Sequence, residues 1–469
     1  MKNSPVIGLV GSSEIAPIDL IAVGTADFED WLESRKTDQA WIQAHDLSGK
    51  TGDICRLPDP DGGIMSVVAG VGAGEPTDWG ALPKALGPGV YQIARLPDGT
   101  AWDHAALGWS LGSYRFDRFR RSDEKPFGRL LWPEQADRTL VGGHARATAL
   151  VRDLINLPTS HMGPADLQKS AEDLAGAYGA DIATILGDDL LAENYPAVHA
   201  VGRAAARDRA PRLIEMTWGE SGNPKVALVG KGVCFDTGGL DIKPAAAMRL
   251  MKKDMGGAAH VLGLGLMIMD MGLPIRLTVL IPAVENSIAG NAMRPGDVVN
   301  TRNGKTVEIG NTDAEGRVIL ADALARASEL DPALIIDFAT LTGAARVALG
   351  TDIPALFTRG KALREALTRA GEDVSDPLWP LPLHEPYRHK IKGKVADLNN
   401  APEGPHGGAI TAALFLDEFV AKGLDYAHID LMAWNTVSRP GRPEGGEAMG
   451  MRAVFKAIRK QYGNWQKGT

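Results

Sequence analysis

Acidic and basic side chains are concentrated in three glycine-punctuated segments in the second half of this chain. The segments are Leu228–Pro244, Met248–Ala259 and Gly310–Leu320. Together they supply four carboxylates, those of Asp236, Asp254, Asp313 and Glu315, and three cations, those of Lys231, Lys243 and Arg317. Several carboxylates held close together repel one another unless cations neutralise them. A carboxylate-rich site able to hold two metal ions roughly 3.5–4 Å apart is a hydrolytic type of site.

Each of these groups has a plainer interpretation when it is taken alone. An isolated acidic residue at a helix start is usually a cap, and an isolated lysine after a strand is usually solvated. We interpret Cys234 as a small buried apolar residue rather than a nucleophile, and His260 as a residue of a helix face rather than a ligand. The combination of three such segments is what favours a metal site.

The charged segments follow predicted strands or begin predicted helices. A buried strand ends just before Lys231, and Asp254 precedes a helix start made of small residues. Strands are predicted at Asp181–Ile185, Leu213–Thr217, Val226–Val229, Leu277–Ile281, Ala333–Phe338 and His428–Leu431. Helices are predicted near residues 164–178, 256–271, 317–330, 361–371 and 408–422. This alternation predicts an α/β sandwich with helices on both faces of one sheet, whose site lies beyond the strand ends.

The first ~140 residues show a separate pattern of short apolar runs and polar or glycine-rich turns. Strands are predicted there at Pro5–Val10, Leu20–Val23, Ile64–Val71 and Val90–Ala94. Three glycines lie at the end of one of these strands. We interpret them as a tight turn after the strand rather than as a phosphate-binding loop. They are Gly70, Gly72 and Gly74. A polar stretch at about 101–137 marks the end of a first domain, which we predict over residues 1–140, with a second domain over 145–469.

The composition excludes several other classes of protein. The chain has 469 residues, of which 44% are apolar, and its formal net charge of −8 argues against a nucleic-acid or anionic-membrane partner. Two cysteines, Cys55 and Cys234, form no disulfide framework, which favours a reducing compartment. The N-terminal segment is no convincing signal peptide, and the most apolar stretch, His260–Leu273, is too short to span a bilayer. We therefore expect a cytoplasmic protein.

Longer stretches of the chain resemble a known family. The heptapeptide NTDAEGR at Asn311–Arg317 looks like the signature of the leucyl aminopeptidases, or cytosol aminopeptidases, a family of dinuclear metallo-exopeptidases. The segments VGKGVCFDTGG and MKKDMGGAA are similar to that family's other two metal-binding segments, and DFATLTGA and HGGAITAALFLDEFV extend the resemblance over roughly residues 150–455. It implies a smaller N-terminal α/β domain, variable and with a part in assembly, and a larger C-terminal α/β/α catalytic domain with a mixed, mainly parallel sheet.

The resemblance also implies a role for each charged residue. The metal-ligand positions are occupied by Lys231, Asp236, Asp254, Asp313 and Glu315. Asp236 and Glu315 would bridge both metals, Lys231 and Asp254 would complete one site, and Asp313 would complete the other. Lys243 and Arg317 occupy the catalytic positions. The positions that line the substrate pocket hold Met251, Thr340, Leu341 and Gly343.

The chemistry implied by the family is hydrolysis by a metal-activated water. Two divalent cations, Zn²⁺ or Mn²⁺ with Mg²⁺ or Co²⁺ as alternatives, bind a bridging water and lower its pKa. The free α-amine of the substrate binds one metal, which selects exopeptidase action. Lys243 stabilises the oxyanion, and Arg317 holds a bicarbonate that carries the proton to the leaving amine. Because Lys231 must be neutral to bind a metal, activity is predicted to rise toward alkaline pH.

The preferred substrate and the assembly are also expectations from the resemblance. The leading hypothesis is removal of N-terminal Leu, Met or another large apolar residue from peptides with a free N-terminus. The alternatives are a dipeptidase of narrow range, of the Cys-Gly type, and a non-catalytic DNA-binding or scaffold member of the family. The family further implies a homohexamer built as a dimer of trimers.

Two positions depart from the family pattern. Asp241 stands two residues before Lys243, where the family usually has a small polar residue, and Thr237 replaces a common serine. The carboxylate of Asp241 either pairs with Lys243 and keeps it protonated or points to solvent, and we favour solvent. These departures bear on the substrate range and leave the predicted activity intact.

Overall fold

The structure is a computed structural model that describes residues 4–120 and 125–465. The described residues form two compact units. The first unit contains the described residues from Ser4 to Ala149 together with Asn435–Glu444. The second unit contains Leu150–Trp434 and the residues from Gly445 onward. The family-level prediction of two α/β domains agrees with this division into units.

The first unit is built on one mostly parallel sheet. Its strands are β1 (Leu9–Val10), β2 (Ile18–Val23), β3 (Ile54–Pro58), β4 (Ile64–Gly70), β5 (Val90–Arg95) and β6 (Arg129–Leu131). Its helices are α1 (Phe28–Glu33), α2 (Gln39–Gln43), α3 (Pro76–Trp79), α4 (Leu82–Leu86) and α5 (Trp102–Ser113), while α6 (Arg138–Asn156) runs on into the second unit. The strand order is β1-β6-β5-β2-β4-β3, and β3 is antiparallel to its neighbour β4.

Two features of this unit differ from the sequence-based expectation. The strand predicted at Pro5–Val10 is only Leu9–Val10. Within the stretch predicted to be polar, Trp102–Ser113 forms a helix whose inner face buries Ala105, Trp109 and Leu111. The helix was missed because its apolar residues run together with small and polar ones, so that no apolar stripe stands out.

The second unit carries the longer sheet of the chain. Its strands are β7 (Asp181–Leu186), β8 (Arg212–Trp218), β9 (Lys225–Gly230), β10 (Gly232–Asp236), β11 (Arg276–Asn286), β12 (Val298–Asn300), β13 (Thr306–Glu308), β14 (Leu334–Ala339), β15 (Ala355–Thr358), β16 (Trp379–Pro380), β17 (Leu398–Asn399), β18 (Asp425–Asp430), β19 (Trp434–Asn435) and β20 (Gly445–Gly446). The main sheet has the order β16-β15-β18-β14-β9-β11-β8-β7, and β10 also pairs with β11.

The centre of this sheet is parallel, and antiparallel pairs lie on both sides of it. Strands β18, β14, β9 and β11 run in the same direction, whereas β15 is antiparallel to β18, β8 is antiparallel to β11, and β7 is antiparallel to β8. All six residues of Leu334–Ala339 are buried, as expected for a parallel strand covered on both faces. The predicted fold class, two α/β domains with a mixed and mainly parallel catalytic sheet, is confirmed.

Helices cover this sheet and lead into its loops. They are α7 (Pro164–Tyr178), α8 (Asp189–Ala192), α9 (Pro196–Gly202), α10 (Ala245–Met248), α11 (Gly256–Asp270), α12 (Glu315–Glu329), α13 (Gly343–Leu349), α14 (Lys361–Asp373), α15 (Gly408–Asp417) and α16 (Met451–Tyr462). Short 3₁₀ segments lie at Thr159–His161, Arg207–Arg209, Met251–Met255 and Glu385–Ile391. Within the described ranges, none of the helices is long and apolar enough to cross a membrane.

Candidate metal centre

The predicted site residues meet at one edge of the main sheet of the second unit. Lys231 directly follows β9, Asp236 is the last residue of β10, and Thr340 directly follows β14. Because β9, β10 and β14 point the same way, their carboxyl ends reach the same edge of the sheet, where open α/β sheets place their ligands.

Two helix starts bring the remaining charged residues to the same edge. The 3₁₀ segment Met251–Met255 carries Asp254 and continues into α11. Helix α12 begins at Glu315, so Glu315 and Arg317 lie in its first turn, and Asp313 lies in the turn before it. An acidic side chain in the first turn of a helix is favoured by the exposed backbone N–H groups there.

Lys231 lies between two of the carboxylates. Its ammonium nitrogen is 2.8 Å from Oδ2 of Asp254 and 2.9 Å from Oε1 of Glu315. All three side chains are buried. Gly316 makes room for this lysine, since a Cβ at that position would come within 2.7 Å of the ammonium nitrogen.

Lys243 pairs with the other two carboxylates. Its ammonium nitrogen is 2.9 Å from Oδ2 of Asp236 and 2.5 Å from Oδ1 of Asp313. The loop that carries Lys243 needs a left-handed backbone at Gly238, where φ is +86°, a conformation that residues with a Cβ resist. The N–H of Gly238 and the side-chain amide of Asn286 both donate to Oδ1 of Asp236 at 2.8 Å.

Two carboxylates of the centre, those of Glu315 and Asp313, carry negative charge at a cost. Burial and the nearby charge of Asp236 raise the pKa of Glu315 to about 8 and that of Asp313 to about 6. Burial would lower the pKa of Lys231 and of Lys243, but the surrounding carboxylates outweigh it and raise both pKa values above the ordinary range. Positive charge beside Glu315 and Asp313 therefore favours their ionised forms.

The donor set fits a metal centre. Oxygens of Asp236, Asp313 and Glu315 lie within 4.8 Å of one another. Buried oxygens of Asp254, Asp313 and Glu315 accept no hydrogen bond of acceptable geometry from the described part of the chain, although lysines face them at ion-pair distance. Carboxylate oxygens without hydrogen-bond donors are the ligands that hard divalent cations bind.

Arg317 is also buried and lies in the wall of the same cavity. One of its terminal nitrogens donates to the backbone carbonyl of Asn400 at 2.6 Å, while its Nε has no partner among the described residues. Burial lowers the pKa of Arg317 to about 10. A buried guanidinium with a free N–H fits a small anion such as bicarbonate.

The cavity beside these residues has a volume of about 520 Å³. Its wall includes the four residues expected to line the substrate pocket, Met251, Thr340, Leu341 and Gly343. The hydroxyl of Thr340 donates to Oδ1 of Asp254 at 2.8 Å, which connects the pocket to the carboxylate cluster. The structure thus brings every predicted site residue except the fully enclosed Glu315 into one cavity wall, and Glu315 packs directly behind it against Lys231.

The side chain of Asp241 makes contacts that the sequence did not predict. It is exposed, as expected, but its Oδ2 accepts the backbone N–H of Thr312 at 2.8 Å. It forms no ion pair with Lys243 in the described ranges, where the lysine pairs with Asp236 and Asp313 instead.

Three further residues of the site were missed by the sequence analysis. Asn286 is the amide donor to Asp236, and Lys253 and Arg346 lie in the cavity wall. Burial lowers the pKa of Lys253 to about 8. The doubled lysine Lys252-Lys253 next to a predicted ligand was the signal that could have drawn attention to this position, whereas nothing local marks Asn286 or Arg346.

Comparison with known proteins identifies the family. Residues 149–455 match the catalytic domain of the cytosol aminopeptidase family, and residues 16–133 match the N-terminal domain described as that of M17 aminopeptidases. The chain belongs to the cytosol aminopeptidase family. Members of this family are metal-dependent aminopeptidases, so the chain is a hydrolase that acts on peptides, as the sequence resemblance predicted.

Relatives of known sequence support the same assignment. A probable cytosol aminopeptidase of Nocardia farcinica is 39% identical over 480 residues, covering 97% of this chain and 94% of that protein. A probable cytosol aminopeptidase of Roseiflexus castenholzii is 43% identical over 372 residues, covering 75% of each protein.

Solved structures of the family share the whole fold. The crystal structure of a cytosol aminopeptidase from Coxiella burnetii has a TM-score of 0.92 and 47% sequence identity, covering 97% of this chain and 99% of that one. The bottromycin maturation enzyme BotP in complex with Mn has a TM-score of 0.86 and 33% identity, covering 95% of this chain and all of that one.

Proposed function

We propose that this cytosol aminopeptidase removes the N-terminal residue of peptides by means of two divalent cations held at the carboxylate cluster. The observation that carries the proposal is the convergence of Asp236, Asp313 and Glu315, whose oxygens lie within 4.8 Å of one another. Asp236 and Asp313 lie in the wall of a cavity large enough for a peptide end, and Glu315 packs directly behind that wall. The manganese named for the related BotP structure supports Mn²⁺ as one ion to test, beside Zn²⁺, Co²⁺ and Mg²⁺.

The family resemblance supports a division of these ligands between two ions. Lys231 and Asp254, which lie 2.8 Å apart, would hold one ion, and Asp313 would hold the other. Asp236 and Glu315 would contact both. When bound, the ions would supply a water that is acidic enough to attack at neutral pH and would polarise the scissile carbonyl.

Two cations of the chain would act on the reacting groups. Lys243 would donate its N–H to the oxyanion that develops at the substrate carbonyl, and the neighbouring Asp236 and Asp313 keep it charged for that purpose. Arg317 would hold a bicarbonate, and the unpartnered Nε of its buried guanidinium supports an anion at this position. When bound, the bicarbonate would supply a carrier for the proton that passes to the leaving amine.

Large apolar residues such as Leu and Met remain the proposed preference at the substrate N-terminus. The apolar side chains of Met251, Leu341 and Met432 in the cavity wall support it. A narrow dipeptidase is the alternative within the same chemistry. A non-catalytic DNA-binding or scaffold role finds less support, because the ligand and catalytic positions are complete and the net charge is −8.

The assembly and location of the protein are proposed on the family likeness. A homohexamer is the expected assembly, and light scattering that reported a mass near that of one 49.8 kDa chain would contradict it. A cytoplasmic location is supported by the name of the relatives, which are probable cytosol aminopeptidases.

Hydrolysis of Leu-p-nitroanilide tests the proposed activity. Protein stripped with a chelator should be inactive and should regain activity when Mn²⁺, Zn²⁺ or Co²⁺ is added, whereas N-acetyl-Leu-p-nitroanilide should not be cleaved. Asp313→Asn should not recover with any metal, while Glu365→Gln, at an exposed carboxylate on α14, should behave as the unaltered enzyme. Absence of cleavage with every metal and with dipeptides would reject the proposal.

A further inference from the structure

Lys253 is a buried cation in the cavity wall that the proposed mechanism does not use. Its relative exposure is only 4%, and it lies on the 3₁₀ segment between Met251 and Asp254. In the described part of the chain its ammonium group donates no hydrogen bond and forms no ion pair. Buried lysines are rare unless they are paired, because an uncompensated charge is costly to remove from water.

Arg346 is a second cation at the same side of the cavity. It lies on α13, and its guanidinium comes within 3.5 Å of the position that a Cβ on Gly343 would take. Its hydrogen bond within the described ranges goes to the thioether sulfur of Met432 at 3.5 Å, which is a weak acceptor. Lys253 and Arg346 both line the wall of this cavity.

Two carboxylates beside the cavity, those of Asp430 and Asp254, already have other partners. Asp430 accepts hydrogen bonds from the N–H groups of Leu341 and Thr342 and from the hydroxyl of Thr342. Asp254 is occupied by Lys231 and by the hydroxyl of Thr340. Among the described residues, neither Lys253 nor Arg346 forms an ion pair with a carboxylate, although both line this cavity.

We propose that Lys253 and Arg346 bind a carboxylate of the substrate, so that the pocket favours an acidic N-terminal residue over its neutral isostere. This inference rests on the proposed aminopeptidase function and deepens it. The side chain of an N-terminal Glu or Asp is the favoured source of the carboxylate, because the two cations flank Met251 and Gly343, which belong to the proposed pocket for the first substrate residue. The C-terminal carboxylate of a dipeptide is the other source of the same chemistry.

The aliphatic walls of the pocket are compatible with this preference. Met251 and Leu341 can pack against the methylene groups of a Glu side chain as they can against Leu, while its carboxylate reaches the cations. Charge-assisted hydrogen bonds of this kind correspond to at least about a tenfold difference in kcat/KM between Glu and Gln.

The test compares isosteric substrates on the metal-loaded enzyme. We expect the kcat/KM for Glu-p-nitroanilide to exceed that for Gln-p-nitroanilide by about tenfold or more. A second pair, Leu-Gly and Leu-Gly-amide, reports whether a C-terminal carboxylate is recognised instead. Leu-p-nitroanilide is run beside them as the measure of the proposed function.

Variants connect the preference to the two residues. Arg346→Met and Lys253→Met should each lower the Glu:Gln ratio toward one, whereas Arg346→Lys should keep most of it. Because the ratio is measured within each enzyme, changes in overall activity cancel. Arg346 is exposed, so its variants can be studied even if Lys253→Met does not fold. Lys361→Met, which removes the same charge from an exposed site on α14, should leave the ratio unchanged.

The outcomes separate the inference from the proposed function. If Leu-p-nitroanilide is cleaved but neither pair shows a preference for the carboxylate, the inference is wrong and the proposed function stands. A preference that survives both methionine variants also overturns it. If no substrate is cleaved, the proposed function fails, and calorimetric binding of glutamate against glutamine to the metal-loaded protein then decides the inference.

Discussion

Asp241 and Thr312 form a reciprocal pair of hydrogen bonds. The backbone N–H of Asp241 donates to the hydroxyl of Thr312 at 2.8 Å, and the backbone N–H of Thr312 donates to Oδ2 of Asp241 at 2.8 Å. The hydroxyl of Thr312 donates onward to the carbonyl of Gly238 at 2.6 Å. The pair thus joins the loop between Asp236 and Lys243 to the turn that carries Asp313.

Replacing Asp241 by Ala should loosen this connection. We expect kcat/KM for Leu-p-nitroanilide and the affinity for activating metal each to fall by about tenfold, as is typical when a group that supports a metal ligand is lost. Asp241→Asn, which keeps an acceptor oxygen, should lose less. Activity and metal titrations that do not change in Asp241→Ala would show that the pair has no part in holding the site.

Glu315→Gln should separate activity from stability. The neutral amide cannot supply a charged ligand, so we expect activity to fall by more than about a hundredfold, beyond the usual effect of a supporting residue. Because burial and Asp236 raise the pKa of Glu315 to about 8, its charged form is unfavourable in the chelated protein, and the neutral amide avoids that cost. Calorimetry in chelator should show an unfolding temperature no lower than that of the unaltered protein, and a drop of several degrees would contradict this explanation.

Gly316→Ala should displace Lys231. The added methyl group would meet the lysine at Cε and lie 2.7 Å from its Nζ, so we expect loss of activity and a destabilisation of about 1–3 kcal/mol. Gly176→Ala is the matched control, since nothing lies within 4 Å of its Cβ position in the interior of α7. That variant should leave activity unchanged and raise the free energy of unfolding by about 0.5–1 kcal/mol. Equal effects of the two substitutions would reject the steric argument.

His260 should make the protein less stable in mild acid. The N–H of Met449 donates to its Nε2 at 2.9 Å, so its Nδ1 carries the proton that is donated to the carbonyl of Gly256 at 2.6 Å. This arrangement suits the neutral ring, and burial lowers its pKa from 6.5 to about 4. The folded state therefore binds fewer protons than the unfolded state between these values, and stability falls as the pH is lowered through them.

The size of this effect can be measured by urea denaturation. Between pH 7 and pH 5, His260 should account for a loss of about 2 kcal/mol in the free energy of unfolding. His260→Gln should be less stable than the unaltered protein at pH 7, but its stability should change less between the two pH values. An equal change in both proteins would assign the acid sensitivity to other groups.

The parts of the structure that the sequence predicted are those governed by local patterns. The buried parallel strand at Leu334–Ala339 was predicted as Ala333–Phe338, because a continuous apolar run next to a helical pattern has few other interpretations. Lys231 and Asp254 lie where the sequence predicts them, just beyond a strand and just before a helix, whereas Asp236 ends β10, a strand that the sequence did not predict. The three-residue strands β12 and β13 were missed, since segments of that length carry no measurable periodicity.

The residues that the sequence analysis missed act through distant partners. Asn286 lies 50 positions from Asp236, and only the pairing of β10 with β11 brings the two together. Lys253 resembles any solvated lysine until its burial is known, and Arg346 reaches the cavity only through the placement of α13. Asp241 was expected to point to solvent because its partner, Thr312, comes from a segment 71 residues away.

The first compact unit is not one continuous stretch of chain. It includes Asn435–Glu444, a segment in which Gly441 passes so close to Gly80 that a Cβ on Gly80 would lie 2.4 Å from the Gly441 backbone. A gene cut after the codon for Ala149 would therefore divide this unit, and the downstream product would retain a loop that belongs with the missing part. The first unit therefore cannot be exchanged between family members as one continuous segment. Both of its chain segments would have to be transferred together.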